Sequence, residues 1–146
     1  MSESTTREER FERGLEVLGS VNPEVGQQVL DSLADISPEM GHQIVAWGFG
    51  EIYSRPELVP RDRQLVTLGM LTALGGCENQ LEVHIHTALN VGLTPVQIVE
   101  ALLQSAGYCG FPKALNAMAV ARKVLAERGL LPVGQQPTAD GPATSA

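Results

Sequence analysis

The stretch RDRQLVTLGMLTALGGCENQLEVHIH, residues 61–86, decides the fold of this chain. A nearly all-apolar run follows Gln64 and stops at two consecutive glycines, and a second run then carries Cys77 and His84. This pattern predicts two helices, about 61–74 and 78–91, and the first of them should be central and buried. On the second helix, Cys77 and His84 share one face about two turns apart.

Helix signals extend outward from this stretch on both sides. Asn22-Pro23 and Ser37-Pro38 each place a capping residue before a proline, and a capping box begins at Thr94. Alternating runs joined by a hairpin turn are missing from the sequence, so strands are not predicted. The fold is therefore predicted to be all-α, a single-domain bundle of about six to seven helices. Its further helices are expected over about 7–18, 22–33, 37–53, 94–109 and 112–128.

The two ends of the chain differ in composition from this helical part. Residues 1–6 are expected to form a flexible N-terminal arm, and residues 7–132 the helical domain. Residues 133–146 contain two prolines and two glycines and almost nothing large and apolar, so we expect a disordered tail.

Composition and charge exclude several classes of protein. The chain has 146 residues, of which 43% are hydrophobic and 18% charged, which suits one domain with a real core. The net charge of −7 and the lack of a basic run argue against nucleic acid as a partner. No apolar run approaches the roughly 20 residues of a membrane span. With no signal-peptide pattern and only two cysteines, a cytoplasmic chain is expected.

Five phrases carry a resemblance to a known family. They are GFGEIYSRP at 48–56, RDRQLVT at 61–67, CENQL at 77–81 leading to His84, ALNVGLT at 88–94 and YCGFPKALNA at 108–117. In this order and spacing they resemble the carboxymuconolactone decarboxylase family, which is related to the alkyl hydroperoxidase D-like proteins. The resemblance implies an all-helical subunit that assembles as a homotrimer or homohexamer. It also implies decarboxylation of a lactone acid with no metal or organic cofactor.

Two positions depart from the pattern of the family. Gln80 stands where the peroxidase relatives have the second cysteine of a Cys-x-x-Cys pair, which disfavours thiol peroxidase activity. Gln64 stands where the usual phrase Arg-x-Arg-Glu-Leu-Val has its glutamate, so a relay through that carboxylate is lost. The favoured function is acid/base decarboxylation of a small carboxymuconolactone-like lactone or unsaturated carboxylic acid. The alternatives are a relative recruited to natural-product biosynthesis for isomerisation or cyclisation, and a non-catalytic binding or assembly protein.

Three residues are candidates for catalysis. His84 is a candidate general acid/base, although a lone histidine can equally be a buried, hydrogen-bonded core residue. Glu51 lies among apolar residues and is the nearest acidic substitute for the lost relay, unless it faces water at a helix end. Cys77 follows two glycines at a helix N-terminus, where the dipole favours a thiolate, but most free cysteines are small core fillers.

A second group of residues is expected to bind the substrate. Arg63 could hold a carboxylate through two parallel hydrogen bonds, or could pair with Glu51 or Asp62 as part of the structure. Aromatic side chains could line the pocket, although such residues at helical spacing are more often core. Metal binding is not predicted, because His84 and His86 are wrongly spaced for two ligands on one helix face. The expected substrate-binding residues are Arg63, Gln64, Trp47, Tyr53 and Tyr108.

Overall fold

The computed structural model describes residues 5–135, and most of them are helical. Over this range the chain forms seven α-helices and one π-helix, here called π1, without a β-strand, which confirms the predicted all-α fold. Residues 1–4 and 136–146, which include most of the predicted arm and tail, lie outside the described range. The helices are α1 (Arg7–Val21), α2 (Val25–Leu33), α3 (Pro38–Gln43), π1 (Ile44–Tyr53), α4 (Pro60–Leu74), α5 (Glu78–Asn90), α6 (Pro95–Cys109) and α7 (Phe111–Glu127).

The helix starts follow the capping residues in the sequence. The Thr94 hydroxyl accepts a hydrogen bond from the backbone N–H of Gln97, and the side-chain oxygen of Gln97 accepts one from the backbone N–H of Thr94. The predicted capping box is therefore confirmed. Ser37 caps α3 through its side chain, with a proline at the first helical position, as predicted. Thr6, placed in the N-terminal arm by the sequence, caps α1 in the same reciprocal way with Glu9.

The main core is formed by α4, α5, α6 and α7. Its residues are small or aliphatic, and the alanines of α7 let that helix approach α5 and α6 closely. The core consists of Leu68, Leu81, Ile85, Ala88, Leu93, Ile98, Leu102, Ala117, Ala121 and Val124.

Helix α1 packs directly on π1, and two glycines make this contact possible. A Cβ atom at Gly14 would overlap with the Val45 carbonyl, and one at Gly50 would overlap with the Arg10 carbonyl. The guanidinium of Arg13 also donates from Nε to the Gly50 carbonyl at 2.6 Å. The two backbones therefore touch at both ends of the contact, which fixes π1 against α1.

The predicted start of the second helix was wrong. Asn22 ends α1 instead of capping α2, which begins at Val25 without a side-chain cap. The Asn22 amide is buried and donates to the Thr87 hydroxyl at 2.8 Å, a contact 65 residues away along the chain. Burial against α5 thus outweighs the local capping preference, because a buried amide left without a partner would cost about 1–3 kcal/mol.

Helix α4 is central, as predicted, since it packs against α5, α6 and α7, but within residues 5–135 it is buried on one side only. Its buried residues are Gln64, Leu68 and Thr72, which lie on one side. The opposite side exposes an apolar stripe, defined here as Val66, Met70 and Leu74, which are 47%, 66% and 71% exposed. Between residues 5 and 135, no helix combines the length and the apolar character that a membrane span requires.

Candidate functional site

The centre of the candidate site is a contact between α4 and α5. The His84 side chain, partly buried on α5, lies with Nδ1 3.0 Å from Oε1 of Gln64 on α4. The Gln64 side chain is completely buried. The other ring nitrogen of His84, Nε2, has no hydrogen-bond partner among residues 5–135. Burial lowers the pKa of His84, so the imidazole is neutral near pH 7.

The contact continues from Gln64 into π1. Nε2 of Gln64 donates to the Tyr53 hydroxyl at 3.3 Å, and that hydroxyl lies 2.9 Å from the hydroxyl of Thr67. Thr67 in turn donates to the backbone carbonyl of Arg63 at 2.9 Å. We call the four side chains His84, Gln64, Tyr53 and Thr67 the polar chain. Thr67 was not among the predicted site residues, although it follows Gln64 by three positions and so shares its side of α4.

Arg63 lies beside the polar chain and has no carboxylate partner among the described residues. Its guanidinium carbon is 5.9 Å from the centre of the Tyr53 ring, and Nη2 donates to the Arg55 carbonyl at 3.0 Å. The acidic neighbours proposed from the sequence pair elsewhere, Asp62 with Arg61 and Glu51 with Arg10. The positive charge of Arg63 is therefore not neutralised within the described chain.

Glu51 is not joined to the polar chain. Its carboxylate accepts from Nη1 of Arg10 at 3.0 Å, and its side chain is 35% exposed. The pairing ties π1 to α1, 41 residues away in sequence. In this arrangement Glu51 supports the packing of π1 and does not contact His84.

Cys77 occupies the predicted position just before α5, and its thiol is hydrogen-bonded to the backbone of α4. The thiol donates to the Leu71 carbonyl at 3.2 Å and lines a small cavity of about 10 Å³ that also touches Lys113. No hydrogen bond joins Cys77 to His84 in the described part of the chain.

The two remaining aromatic candidates are exposed. Trp47 on π1 is 59% exposed, and Tyr108 near the end of α6 is 86% exposed. Tyr108 borders a groove between α4 and α6 with Leu65 and Gly69, and none of the four polar-chain residues lines this groove. Of the predicted residues, the structure thus brings together His84, Gln64, Tyr53 and Arg63.

The structure also brings together a group that the sequence reading missed. Ligand atoms of Glu82, His86 and Glu127 lie within 4.8 Å of one another at the surface of α5 and α7. Two of the three residues have partners outside the group, because Lys123 donates to both oxygens of Glu82 at 2.8 Å and Arg128 donates to Nδ1 of His86, whereas Glu127 lies 3.6 Å from Nε2 of His86. The four-residue spacing of Glu82 and His86 places both on one face of α5 and could have been recognised in the sequence. The approach of Glu127 from α7 could not, because it depends on tertiary packing.

An all-α fold in which a neutral, partly buried imidazole is joined through Gln64 to a tyrosine beside an unneutralised arginine defines a class of helical proteins in which a histidine can take up or release a proton. The family model of the carboxymuconolactone decarboxylase family matches residues 38–123, and all four residues of the polar chain lie within this range. The chain belongs to the carboxymuconolactone decarboxylase family.

Two named relatives cover most of the chain. A 4-carboxymuconolactone decarboxylase of Acinetobacter baylyi is 34% identical over 126 residues, 86% of this chain and 93% of that protein. A nitrosuccinic acid decarboxylase of Metarhizium robertsii is 33% identical over 132 residues, 86% of this chain and 90% of that protein. An uncharacterised 15.0 kDa protein of Paracoccus denitrificans is 26% identical over 121 residues.

Proposed function

We propose that this protein is a decarboxylase of a small lactone acid or a related unsaturated carboxylic acid, with proton transfer at His84. The observation that carries the proposal is the polar chain, which holds His84 at Nδ1, leaves Nε2 without a hydrogen-bond partner among residues 5–135, and has the unneutralised Arg63 beside its Tyr53 ring. The names of the two relatives support the reaction type, because both denote the removal of a carboxyl group from an acid.

The reaction needs one proton and a place for one electron pair. The bond between the carboxylate and its carbon breaks, carbon dioxide leaves, and the electron pair moves into a neighbouring carbonyl as an enolate. A proton must then reach carbon. The neutral His84 takes a proton from solvent at Nε2 when an anionic substrate binds, because a nearby negative charge favours the imidazolium. It then passes this proton to the enolate.

Arg63 is expected to bind a carboxylate of the substrate. Replacing Arg63 with glutamine should raise KM for 4-carboxymuconolactone roughly 10- to 100-fold, since a hydrogen bond to a charged group contributes about 1.5–3 kcal/mol. The measurement is the rate of carbon dioxide release over a range of substrate concentrations. Arg55→Gln is the matched control, because that side chain pairs with the exposed Glu57. An unchanged KM in Arg63→Gln would contradict the assignment.

Proton transfer without loss of carbon dioxide is a second candidate function. The open Nε2 of a neutral imidazole is a base, which suits abstraction of a proton next to a carbonyl, as in isomerisation. Nuclear magnetic resonance in deuterium oxide separates the two. If deuterium enters the organic product only when carbon dioxide is released, decarboxylation is supported. If deuterium exchanges into the substrate without release of carbon dioxide, isomerisation is supported.

We also propose that the subunit self-associates through the apolar stripe of α4. Exposed apolar surface of this kind is costly in water, and Tyr108, Phe111 and Leu115 add further exposed apolar side chains at the ends of α6 and α7.

Met70→Glu should lower the mass measured by sedimentation, because a charge buried without a partner opposes association. Ile36→Glu is the control, since Ile36 is also exposed but lies between α2 and α3. A wild-type protein that sediments as a monomer at micromolar concentration would contradict this proposal.

A further inference from the structure

The polar chain has one arrangement of hydrogens that satisfies every contact. The Thr67 hydroxyl has a single hydrogen, and this hydrogen is donated to the Arg63 carbonyl, so the Tyr53 hydroxyl must donate to Thr67. The oxygen of Tyr53 is then the acceptor for the amide nitrogen of Gln64. With its nitrogen turned towards Tyr53, Gln64 presents its oxygen to His84, and an oxygen without hydrogen can only accept. The hydrogen of the neutral imidazole is therefore on Nδ1.

We propose that Gln64 is a positioning residue that holds the neutral imidazole of His84 in the Nδ1–H tautomer and leaves the lone pair of Nε2 free for the substrate. Its use in catalysis rests on the proposed function, whereas the tautomer does not. The amide is buried and is supported through Tyr53 and Thr67, so its orientation is determined by contacts outside the reacting centre.

An amide at this position has a consequence that a carboxylate would not have. A carboxylate stabilises the imidazolium by its charge, and typically raises the pKa of a neighbouring histidine by about 1–3 units. The amide of Gln64 accepts the same hydrogen bond without a charge, so the orientation of the ring is kept while the imidazole stays neutral. Gln64 thus fixes the orientation of the His84 ring without favouring its protonation.

The test is nitrogen nuclear magnetic resonance on the full chain labelled in its histidine rings, recorded without substrate at a pH where the rings are neutral. His84 should show a protonated Nδ1 and an unprotonated Nε2. His86 is an internal reference of the opposite kind, because Arg128 donates to its Nδ1 at 3.2 Å and leaves the hydrogen on Nε2. A His84 ring protonated on Nε2 would overturn the proposal, and because this spectrum needs no variant, a folding defect cannot obscure it.

Two variants examine the cause. In Gln64→Glu the pKa of His84 should rise by about 1–3 units, a 10- to 1000-fold gain in proton affinity. Asn79→Asp adds the same charge at an exposed residue of α5 that lies five positions from His84, about 140° around the helix, and should change that pKa far less, because solvent screens it. In Tyr53→Phe, Gln64 loses its fixed orientation, and His84 should show a mixture of tautomers.

The outcomes distinguish this inference from the proposed function. Equal pKa shifts in Gln64→Glu and Asn79→Asp, or an unchanged single tautomer in Tyr53→Phe, would overturn the positioning role. If the spectra are as expected but no lactone acid loses carbon dioxide, the tautomer assignment stands and the proposed function fails.

Discussion

Replacing His84 with alanine should lower kcat/KM for the decarboxylation of 4-carboxymuconolactone by about 10²–10⁴, the usual contribution of a positioned acid or base. The alanine variant keeps Arg63, the proposed carboxylate-binding residue, but lacks the side chain proposed to deliver a proton to the enolate. The larger effect is therefore expected in kcat. The measurement is carbon dioxide release at saturating and at low substrate concentration.

The matched control is His86→Ala, a second histidine on the same helix. His86 lies two positions on and pairs at the surface with Arg128 and Glu127, away from the polar chain. Its replacement should leave kcat/KM within about a factor of two to three, as expected for a surface substitution of under ~0.5 kcal/mol. Equal activity of His84→Ala and wild type would remove His84 from the mechanism. A matching loss in both variants would point to a general defect of α5.

Replacing Gly50 with alanine should destabilise the fold by about 3 kcal/mol or more, at the upper end of the range for overpacking. The new Cβ atom would overlap with the backbone carbonyl of Arg10, which cannot turn aside as a flexible side chain could. Helix α1 would have to move away from π1, and the segment that positions Tyr53 would lose its support. The measurement is the free energy of unfolding in urea, with carbon dioxide release as a second readout.

Gly48→Ala is the control, because Gly48 lies in the same π-helix and a Cβ atom there meets nothing within 4 Å. It should change the free energy of unfolding by less than about 1 kcal/mol, and a small gain is expected since alanine is less flexible than glycine in the unfolded chain. Similar losses in both variants would show that π1 itself, rather than its contact with α1, responds to the change.

The elements that could be predicted from the sequence are those whose determinants are local. Ser37 and Thr94 cap their helices as expected because a cap needs only the next three residues. Asn22 could not be assigned in this way, since its partner Thr87 lies on a distant helix. The change from α3 to π1 within one apolar run was equally hidden, because a periodicity argument assumes one helix type throughout.

The candidate site shows the same division. The motifs indicated His84 and Gln64 individually, but their contact depends on how α4 packs on α5, and 20 residues separate them. The sequence suggested a partner for Arg63 in Glu51, whereas Glu51 is paired with Arg10 of α1. Such pairings depend on tertiary packing, which spacing along one helix does not describe.

The apolar stripe of α4 has a thermodynamic consequence for the whole protein. A partner that covers Val66, Met70 and Leu74 in the folded chain but does not bind the unfolded chain would link folding to association. With self-association as the cover, dilution would lower the melting temperature even though every intramolecular contact is unchanged. The stability of the fold that holds the polar chain in place would then depend on protein concentration as well as on sequence.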